Sequence, residues 1–303
     1  MTTLAKRFAP TLVLPLSLAF GFTATLAQTV TDGEDTQGEV QVAELNVSEL
    51  GPFEHHNVPG GIVIVPLGIK ASDAEPNVLW NDKPIATLAS AKAWFAVIGV
   101  PLNTEPGAHQ VTVKTNNKTY RLAFDVMDAS YDEQRITLKN DSKVNPAPLD
   151  MKRINRESAR LGAVKRIRTD TLNAADFIWP VEGPISSTFG LRRFFNDQPR
   201  RPHGGIDIAM PTGTPIVAPA DGTIIDTGEY FFNGNSVFIE HGLGVQTFYA
   251  HMDSIAVETG DKVTQGDVVG TVGETGRVTG AHLHWSLGLN GTWVDPTLVL
   301  PDD

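Results

Sequence analysis

The chain contains no cysteine among its 303 residues. This absence excludes disulfide bonds, metal sites with thiolate ligands and lipid attachment to an N-terminal cysteine. Positive charge is also scarce, because 24 Lys and Arg residues face 35 Asp and Glu residues and leave a formal net charge of −11. We therefore expect no nucleic-acid partner, since such proteins usually carry a basic surface.

Long apolar runs are missing except near the start of the chain. There, Lys6 and Arg7 precede an apolar stretch at 12–22, and small residues follow as far as Ala27. This order is typical of a secretory signal peptide, so we predict one at 1–27 and export to the periplasm or cell envelope. An uncleaved membrane anchor is the alternative. Cleavage would remove two positive charges and no negative charge, changing the net charge from −11 to −13.

The remaining chain is predicted to be mostly β. Residues after the signal peptide are polar and acidic, and apolar runs or alternating patterns of strand length then dominate, apart from one helical stretch. We predict four further segments: a disordered leader at 28–43, an N-terminal antiparallel β-sandwich domain at 44–144, a linker and helix at 145–176, and a C-terminal antiparallel β domain at 177–303.

The sandwich prediction depends on short strand patterns. Apolar runs occupy 61–65 and 94–100, and alternating segments at 111–114 and 120–124 flank Asn116-Asn117, a pair suited to a hairpin turn. About seven such strands in about a hundred residues are typical of a β-sandwich.

The linker carries one helical pattern, from Asp150 to about Arg168, with Asp150 as the expected N-cap. Its second face is basic, which is compatible either with contact to an anionic polymer or with a solvated surface. The basic residues are Lys152, Arg153, Arg156, Arg160, Lys165, Arg166 and Arg168.

Two motifs in the C-terminal domain offer metal ligands. In His282-Leu283-His284, the strand period of two places both imidazoles on one face. In the segment from His203 to Asp207, two glycines and a preceding proline disfavour a helix and allow the backbone to bend. Together they supply two imidazoles and a carboxylate, with one histidine to spare, as in a catalytic zinc site with an open fourth position.

The order of motifs in this domain resembles that of the lysostaphin/LytM-type zinc metallopeptidases. The resemblance covers residues 179–296 and includes the segments around His203 and His284 as well as Tyr249-Ala250-His251-Met252. Departures are small: Ala281 stands where proline is frequent, and Trp285-Ser286 where Phe-Glu is frequent.

The resemblance implies a C-terminal antiparallel β metallopeptidase domain and a Zn²⁺ cofactor. It implies His203, Asp207 and His284 as zinc ligands and His251 and His282 as catalytic histidines. The implied function is an exported zinc metalloendopeptidase that hydrolyses peptide cross-links of bacterial peptidoglycan through a metal-activated water. Which of the two histidines acts as the general base stays open.

Four further residues are predicted to bind substrate. Arg192 and Arg193 precede His203, and arginine forms paired hydrogen bonds with peptide carboxylates. Tyr230 and Phe231 are candidates for an aromatic wall of the substrate groove. The alternatives are a solvated loop for the arginines and a small apolar core for the aromatic residues.

Two other functions compete with the peptidase. One is a catalytically silent peptidoglycan-binding activator of other wall hydrolases, although such proteins typically lose ligands that this chain retains. The other is a lipoyl- or biotinyl-like carrier with Lys262 as its attachment site, a residue better explained by a hairpin turn. The N-terminal domain is a candidate surface for a protein regulator, and its link to the catalytic domain also suggests autoinhibition.

Overall fold

The computed structural model describes residues 29–31, 38–39, 50–138 and 144–301. Strands are the main regular structure of these residues, and nearly all of them pair antiparallel, which confirms the mostly-β prediction. The predicted signal peptide lies outside the described residues. Within the part of the chain described, no helix combines the length and the apolar character that crossing a bilayer requires.

The first ten strands form the N-terminal unit and its exit. They are β1 (Thr29–Thr31), β2 (Gly38–Glu39), β3 (Ile62–Lys70), β4 (Asn77–Trp80), β5 (Lys83–Pro84), β6 (Ala86–Ala89), β7 (Ala93–Gly99), β8 (Gly107–Lys114), β9 (Thr119–Val126) and β10 (Glu133–Ile136).

Two sheets face each other in this unit, so the predicted β-sandwich is confirmed. One sheet has the order β2-β1-β9-β8-β4-β5 and the other β3-β7-β6. Alternate residues of β9, including Leu122 and Phe124, pack into one core with Val63 of β3 and Ile98 of β7. The predicted hairpin joins β8 to β9, where the Thr115 hydroxyl accepts the backbone N–H groups of residues 117 and 118.

Two fragments of the predicted leader are paired rather than disordered. Thr29–Thr31 (β1) pairs antiparallel with β9, and Gly38–Glu39 (β2) pairs antiparallel with β1. Main-chain hydrogen bonds to an open sheet edge explain this pairing, since they need no apolar side chains. The rest of 28–43 lies outside the described residues.

The smaller sheet is buried on both faces. Ile62, Ile64, Phe95 and Val97 point away from the sandwich core and pack against residues of the C-terminal unit. The continuous apolar runs in β3 and β7 follow from this position, because a strand covered on both sides needs apolar residues at successive positions.

The helix α1 (Pro148–Val164) begins two residues earlier than predicted. Its N-cap is Ala147, so the prediction of Asp150 as N-cap was wrong, and Asp150 lies in the first turn. Pro148 explains the difference, because its fixed φ angle and missing N–H suit the first helical position. Part of the basic face docks the helix: Arg160 Nε donates to Asp226 Oδ1 at 2.9 Å.

Thirteen strands follow in the described part of the C-terminal unit. They are β11 (Ile185–Ser187), β12 (Arg192–Phe195), β13 (Gln198–Pro199), β14 (Ile206–Ile208), β15 (Pro215–Val217), β16 (Gly222–Tyr230), β17 (Gly234–Gly242), β18 (Val245–Met252), β19 (Ser254–Ile255), β20 (Lys262–Val263), β21 (Val268–Thr271), β22 (Leu283–Leu289) and β23 (Thr292–Val294). A 3₁₀ turn, Pro296–Val299, ends the unit.

The main sheet of this unit has the order β11-β14-β22-β18-β17-β16-β20, with β23 paired to β22. All its pairs are antiparallel, as predicted. A second sheet, β15-β21-β19, packs against it through a core that includes Ile216, Val269 and Trp285.

The two units are joined by a shared apolar core. Buried residues of the small sheet pack in one cluster with Phe177, Leu287, Leu289 and Leu298. A second junction lies beside the candidate site, where β10 pairs in parallel with β12. The N-terminal unit is therefore packed against the C-terminal unit at two places.

Candidate metal centre

Three neighbouring strands bring the predicted ligands together. Asp207 on β14 is directly opposite His284 on β22, and His284 is opposite Ala250 on β18. His203 lies in the loop before β14, where its N–H donates to the Leu191 carbonyl at 2.9 Å.

The two glycines after His203 allow this loop to approach the sheet. A Cβ atom at Gly205 would lie 2.2 Å from the Trp285 carbonyl oxygen, and one at Gly204 would lie 2.7 Å from the Trp293 ring. No larger residue fits at Gly205 without moving backbone. The local sequence therefore fixes the position of His203 relative to β22.

The donor atoms of His203, Asp207 and His284 converge on one point. Asp207 Oδ1 lies 2.9 Å from His203 Nε2 and 2.8 Å from His284 Nδ1, and the two nitrogens are 3.0 Å apart. Zinc with ligands at about 2.1 Å needs ligand atoms about 3.4 Å apart in a tetrahedron. An outward shift of a few tenths of an ångström would give that spacing.

The protonation pattern of the site favours a cation. His203 Nδ1 donates to the Thr188 carbonyl oxygen at 2.7 Å, so in the neutral ring Nε2 carries a lone pair. That lone pair faces Asp207 Oδ1, which is also an acceptor. Two acceptors at hydrogen-bond distance need a proton or a metal ion between them, and the residues present therefore fit zinc.

His251 and His282 stand beside the three ligand residues. Their Nδ1 atoms contact the carbonyl oxygens of Thr275 at 2.9 Å and Gly280 at 2.8 Å, which leaves both Nε2 atoms as lone-pair acceptors. The two rings are 4.9 Å apart, and His282 Nε2 is 3.9 Å from Asp207 Oδ1. The backbone of His251 has φ near +65°, a strained conformation of the kind found at functional sites.

The electrostatics of the site favour a charged carboxylate at Asp207 and neutral rings at His251 and His284. Burial would raise the pKa of Asp207, but contacts with His203 and His284 outweigh it and hold that pKa well below its usual range. Burial, aided by the proximity of two other imidazoles, lowers the pKa of His251 to about 3. Burial also lowers the pKa of His284. Neutral imidazoles are the form that binds metal and accepts protons.

Two cavities adjoin the predicted metal ligands. One of about 200 Å³ is lined by Asp207, His251 and His282 together with Gln134 and Ile136 of β10. The other, of about 450 Å³, lies beside His203 and His284 and has α1 as a wall. Segments outside the C-terminal sheet therefore line both cavities.

The four predicted substrate residues have different surroundings. Arg192 is 61% exposed and pairs with Glu133 at 3.3 Å, whereas Arg193 is 18% exposed and turns towards Asp207. Tyr230 lines the larger cavity, but its ring is buried and its hydroxyl donates to Asp226. Phe231 is buried. Their contact with substrate stays a prediction.

The sequence did not point to three residues that support the site. Ser286 Oγ lies 2.9 Å from His284 Nε2 and could have been found, since it is two residues along the same strand face. Gln134 meets Arg193 because β10 pairs with β12, whereas Ser187 lies only six residues before Arg193 in the chain. No local pattern marks either residue.

Comparison with known proteins gave two family matches. Residues 201–296 match the model of peptidase family M23, and residues 55–142 match that of the peptidase family M23 N-terminal domain. A crystal structure described as a "putative peptidase M23" from Pseudomonas aeruginosa is 36% identical, with a TM-score of 0.69. The match covers 81% of this chain and 95% of that one.

Two curated relatives match the C-terminal unit. The peptidoglycan DD-endopeptidase ShyA of Vibrio cholerae is 42% identical over 125 residues, which are 40% of this chain and 29% of ShyA. The DD-carboxypeptidase/endopeptidase Mpg of Neisseria meningitidis is 46% identical over 115 residues, 38% of this chain and 26% of Mpg. The chain thus aligns with less than a third of the length of either relative.

Proposed function

The chain belongs to peptidase family M23, and we propose on that basis that it is an exported zinc metalloendopeptidase that hydrolyses peptide cross-links of bacterial peptidoglycan. One observation carries the proposal: an imidazole nitrogen of His203, one of His284 and an oxygen of Asp207 meet within about 3 Å of one another, beside two further histidines.

The residues of the site divide the chemistry between them. His203, Asp207 and His284 would hold the metal, which when bound would supply a Lewis acid and lower the pKa of water towards about 7. Peptide hydrolysis also needs a group that removes a proton from water and a group that stabilises charge on the carbonyl oxygen.

His251 and His282 are our candidates for those two tasks. Each is fixed by a hydrogen bond from Nδ1 to a backbone carbonyl, so each presents Nε2 as its reactive atom. His282 also borders the smaller cavity with Asp207. We assign proton transfer and oxyanion stabilisation to this pair and leave the division of roles between them open.

The names of the curated relatives support the choice of substrate. ShyA and Mpg are both named for hydrolysis of DD bonds, so we propose the D-alanyl cross-link as the bond that this chain cleaves. Export rests on the signal-peptide pattern at 1–27. Fractionation of the producing cells, with an antibody against residues 144–301, tests the location.

The activity is tested with the purified full chain and a defined cross-linked muropeptide. We expect cleavage detected by mass spectrometry, its loss with a chelator and its return with added Zn²⁺. His203→Ala is the matched variant, because it removes one ligand and should abolish both zinc binding and cleavage. If His203→Ala keeps the biological function, the chain is instead an activator without catalysis.

A further inference from the structure

The two oxygens of the Asp207 carboxylate have different partners. Oδ1 faces the nitrogens of His203 and His284, at 2.9 and 2.8 Å. Oδ2 accepts a hydrogen bond from Arg193 Nη2 at 2.6 Å. One oxygen of the carboxylate is therefore hydrogen-bonded to the Arg193 guanidinium, while the other oxygen contacts the two imidazoles.

Arg193 is itself fixed by a ring of hydrogen bonds. Its Nε donates to Gln134 Oε1 at 2.9 Å, and its Nη2 also contacts Ser187 Oγ at 3.2 Å. Gln134 Nε2 donates to the same Ser187 oxygen at 2.9 Å. These contacts hold the guanidinium in one orientation.

Gln134 reaches the site because β10 lies along β12. The two strands pair in parallel, with Gln134 opposite Arg193. The side chain of Asn196 extends the pairing by bonding both the N–H and the carbonyl of Leu138, at 2.8 and 3.2 Å. At the other end, the Tyr131 hydroxyl donates to the Pro59 carbonyl at 2.5 Å. β10 is thus anchored on both sides of Gln134.

We propose that Arg193, held by Gln134, is a positioning residue that orients the Asp207 carboxylate so that one oxygen faces the metal and the other does not. The proposal rests on the proposed function, since it needs a metal at these ligands. Gln134 lies within the match to the N-terminal domain model, at 55–142. The N-terminal unit therefore takes part in building the metal centre of the catalytic unit.

If Arg193 positions Asp207, its removal changes zinc affinity in one direction. If Arg193 acts only through its charge, the change has the opposite direction. The positive charge of Arg193 repels a divalent cation, so if charge alone mattered, its removal would tighten zinc binding. If its role is to orient Asp207, removal should weaken binding, because hydrogen-bond partners of metal ligands typically contribute about 10- to 100-fold in affinity or activity. The direction of the change decides between the two.

The experiment measures zinc affinity of the full chain by competition with a chromogenic chelator. We expect about 10- to 100-fold weaker binding for Arg193→Gln and a smaller loss in the same direction for Gln134→Ala. In the double variant, Gln134→Ala should add little, since its effect passes through Arg193. Arg135→Gln is the matched control, because Arg135 neighbours Gln134 on β10 but pairs with Glu133 and Asp197.

Two readouts separate positioning from other roles. The melting temperature of the metal-free variants should stay near that of the parent, whereas a purely structural role would lower it and leave zinc affinity unchanged. With a muropeptide substrate, the loss should fall on kcat. A raised KM with unchanged zinc affinity would instead assign Arg193 to substrate binding and overturn the proposal.

Unchanged or tighter zinc binding by Arg193→Gln also overturns the proposal, as does full additivity in the double variant. These results are independent of the proposed activity. A parent chain that binds zinc but cleaves no muropeptide would refute the proposed function and leave the affinity comparison valid.

Discussion

Lowering the pH should destabilise the fold through His241, a histidine that lies outside the candidate metal centre. It lies fully buried on β17, where its ring centroid is 5.1 Å from that of Phe177 in a T-shaped contact. Nδ1 is 2.8 Å from the Asp221 carbonyl oxygen, and Nε2 is 2.8 Å from Thr247 Oγ1. Burial lowers the pKa of His241 to about 4, although the contact with the Asp221 carbonyl raises it in part.

The direction of the stability change follows from the different proton uptake of the folded and unfolded chains. In the unfolded chain the pKa returns to about 6.5, so between pH 6.5 and 4 the unfolded chain binds a proton that the folded chain does not. Stability is therefore complete above pH 6.5 and is lost as the pH falls towards 4. A folded pKa of about 4 gives a loss of about 2 kcal/mol at pH 5.

The assay is urea unfolding at pH 7.5 and pH 5, with a chelator present so that metal binding does not contribute. His241→Asn is the comparison, because an amide nitrogen can still donate to the Asp221 carbonyl but does not titrate. Between the two pH values the parent should lose about 2 kcal/mol more than the variant. Equal losses in both proteins would show that His241 is not a buried neutral group and would refute the reasoning.

Three further predictions concern the site and the packing between units. His282→Gln should lower kcat by about 10²- to 10⁴-fold while zinc content, measured by elemental analysis, stays at that of the parent. Leu289→Ala should reduce the free energy of unfolding by about 2–5 kcal/mol in urea titrations, because this fully buried side chain lies in the shared core. Gly190→Ala should lower the melting temperature, since its φ is +82° and a Cβ would lie 2.1 Å from the Tyr131 ring. A melting curve that matches the parent would contradict this last prediction.

Features of the fold that depend on local pattern could be predicted from the sequence. The alternation in β8 and β9 indicated a half-buried hairpin, and the hairpin is present. His203 and Asp207 come together because a Gly-rich loop leads straight into a strand, a short-range effect. The pairing of β14 with β22 then brings in His284.

Features that depend on the packing of distant segments could not be predicted from the sequence. Arg193 was predicted to bind substrate because it precedes His203 and arginine pairs with carboxylates, whereas in the structure it contacts Gln134, which the pairing of β10 with β12 brings in, and Asp207. The sequence does contain one sign of the shared core. The runs at 61–65 and 94–100 are continuously apolar, which indicates strands buried on both faces. Periodicity shows how many faces are covered but not what covers them.

The shared core restricts how the N-terminal unit can regulate the site. Separating the units would expose Phe95, Val97, Leu287 and Leu289, all buried in one cluster. At about 1.5–3 kcal/mol for each side chain, that exposure costs on the order of 10 kcal/mol, comparable to the stability of a whole domain. Displacing β10 breaks a four-residue pairing with β12 and the hydrogen bonds of Gln134 and Leu138, but it exposes none of this cluster. The autoinhibition hypothesis is therefore physically reasonable only as a local movement of the walls of the site, because moving the whole unit away would cost about as much as unfolding it.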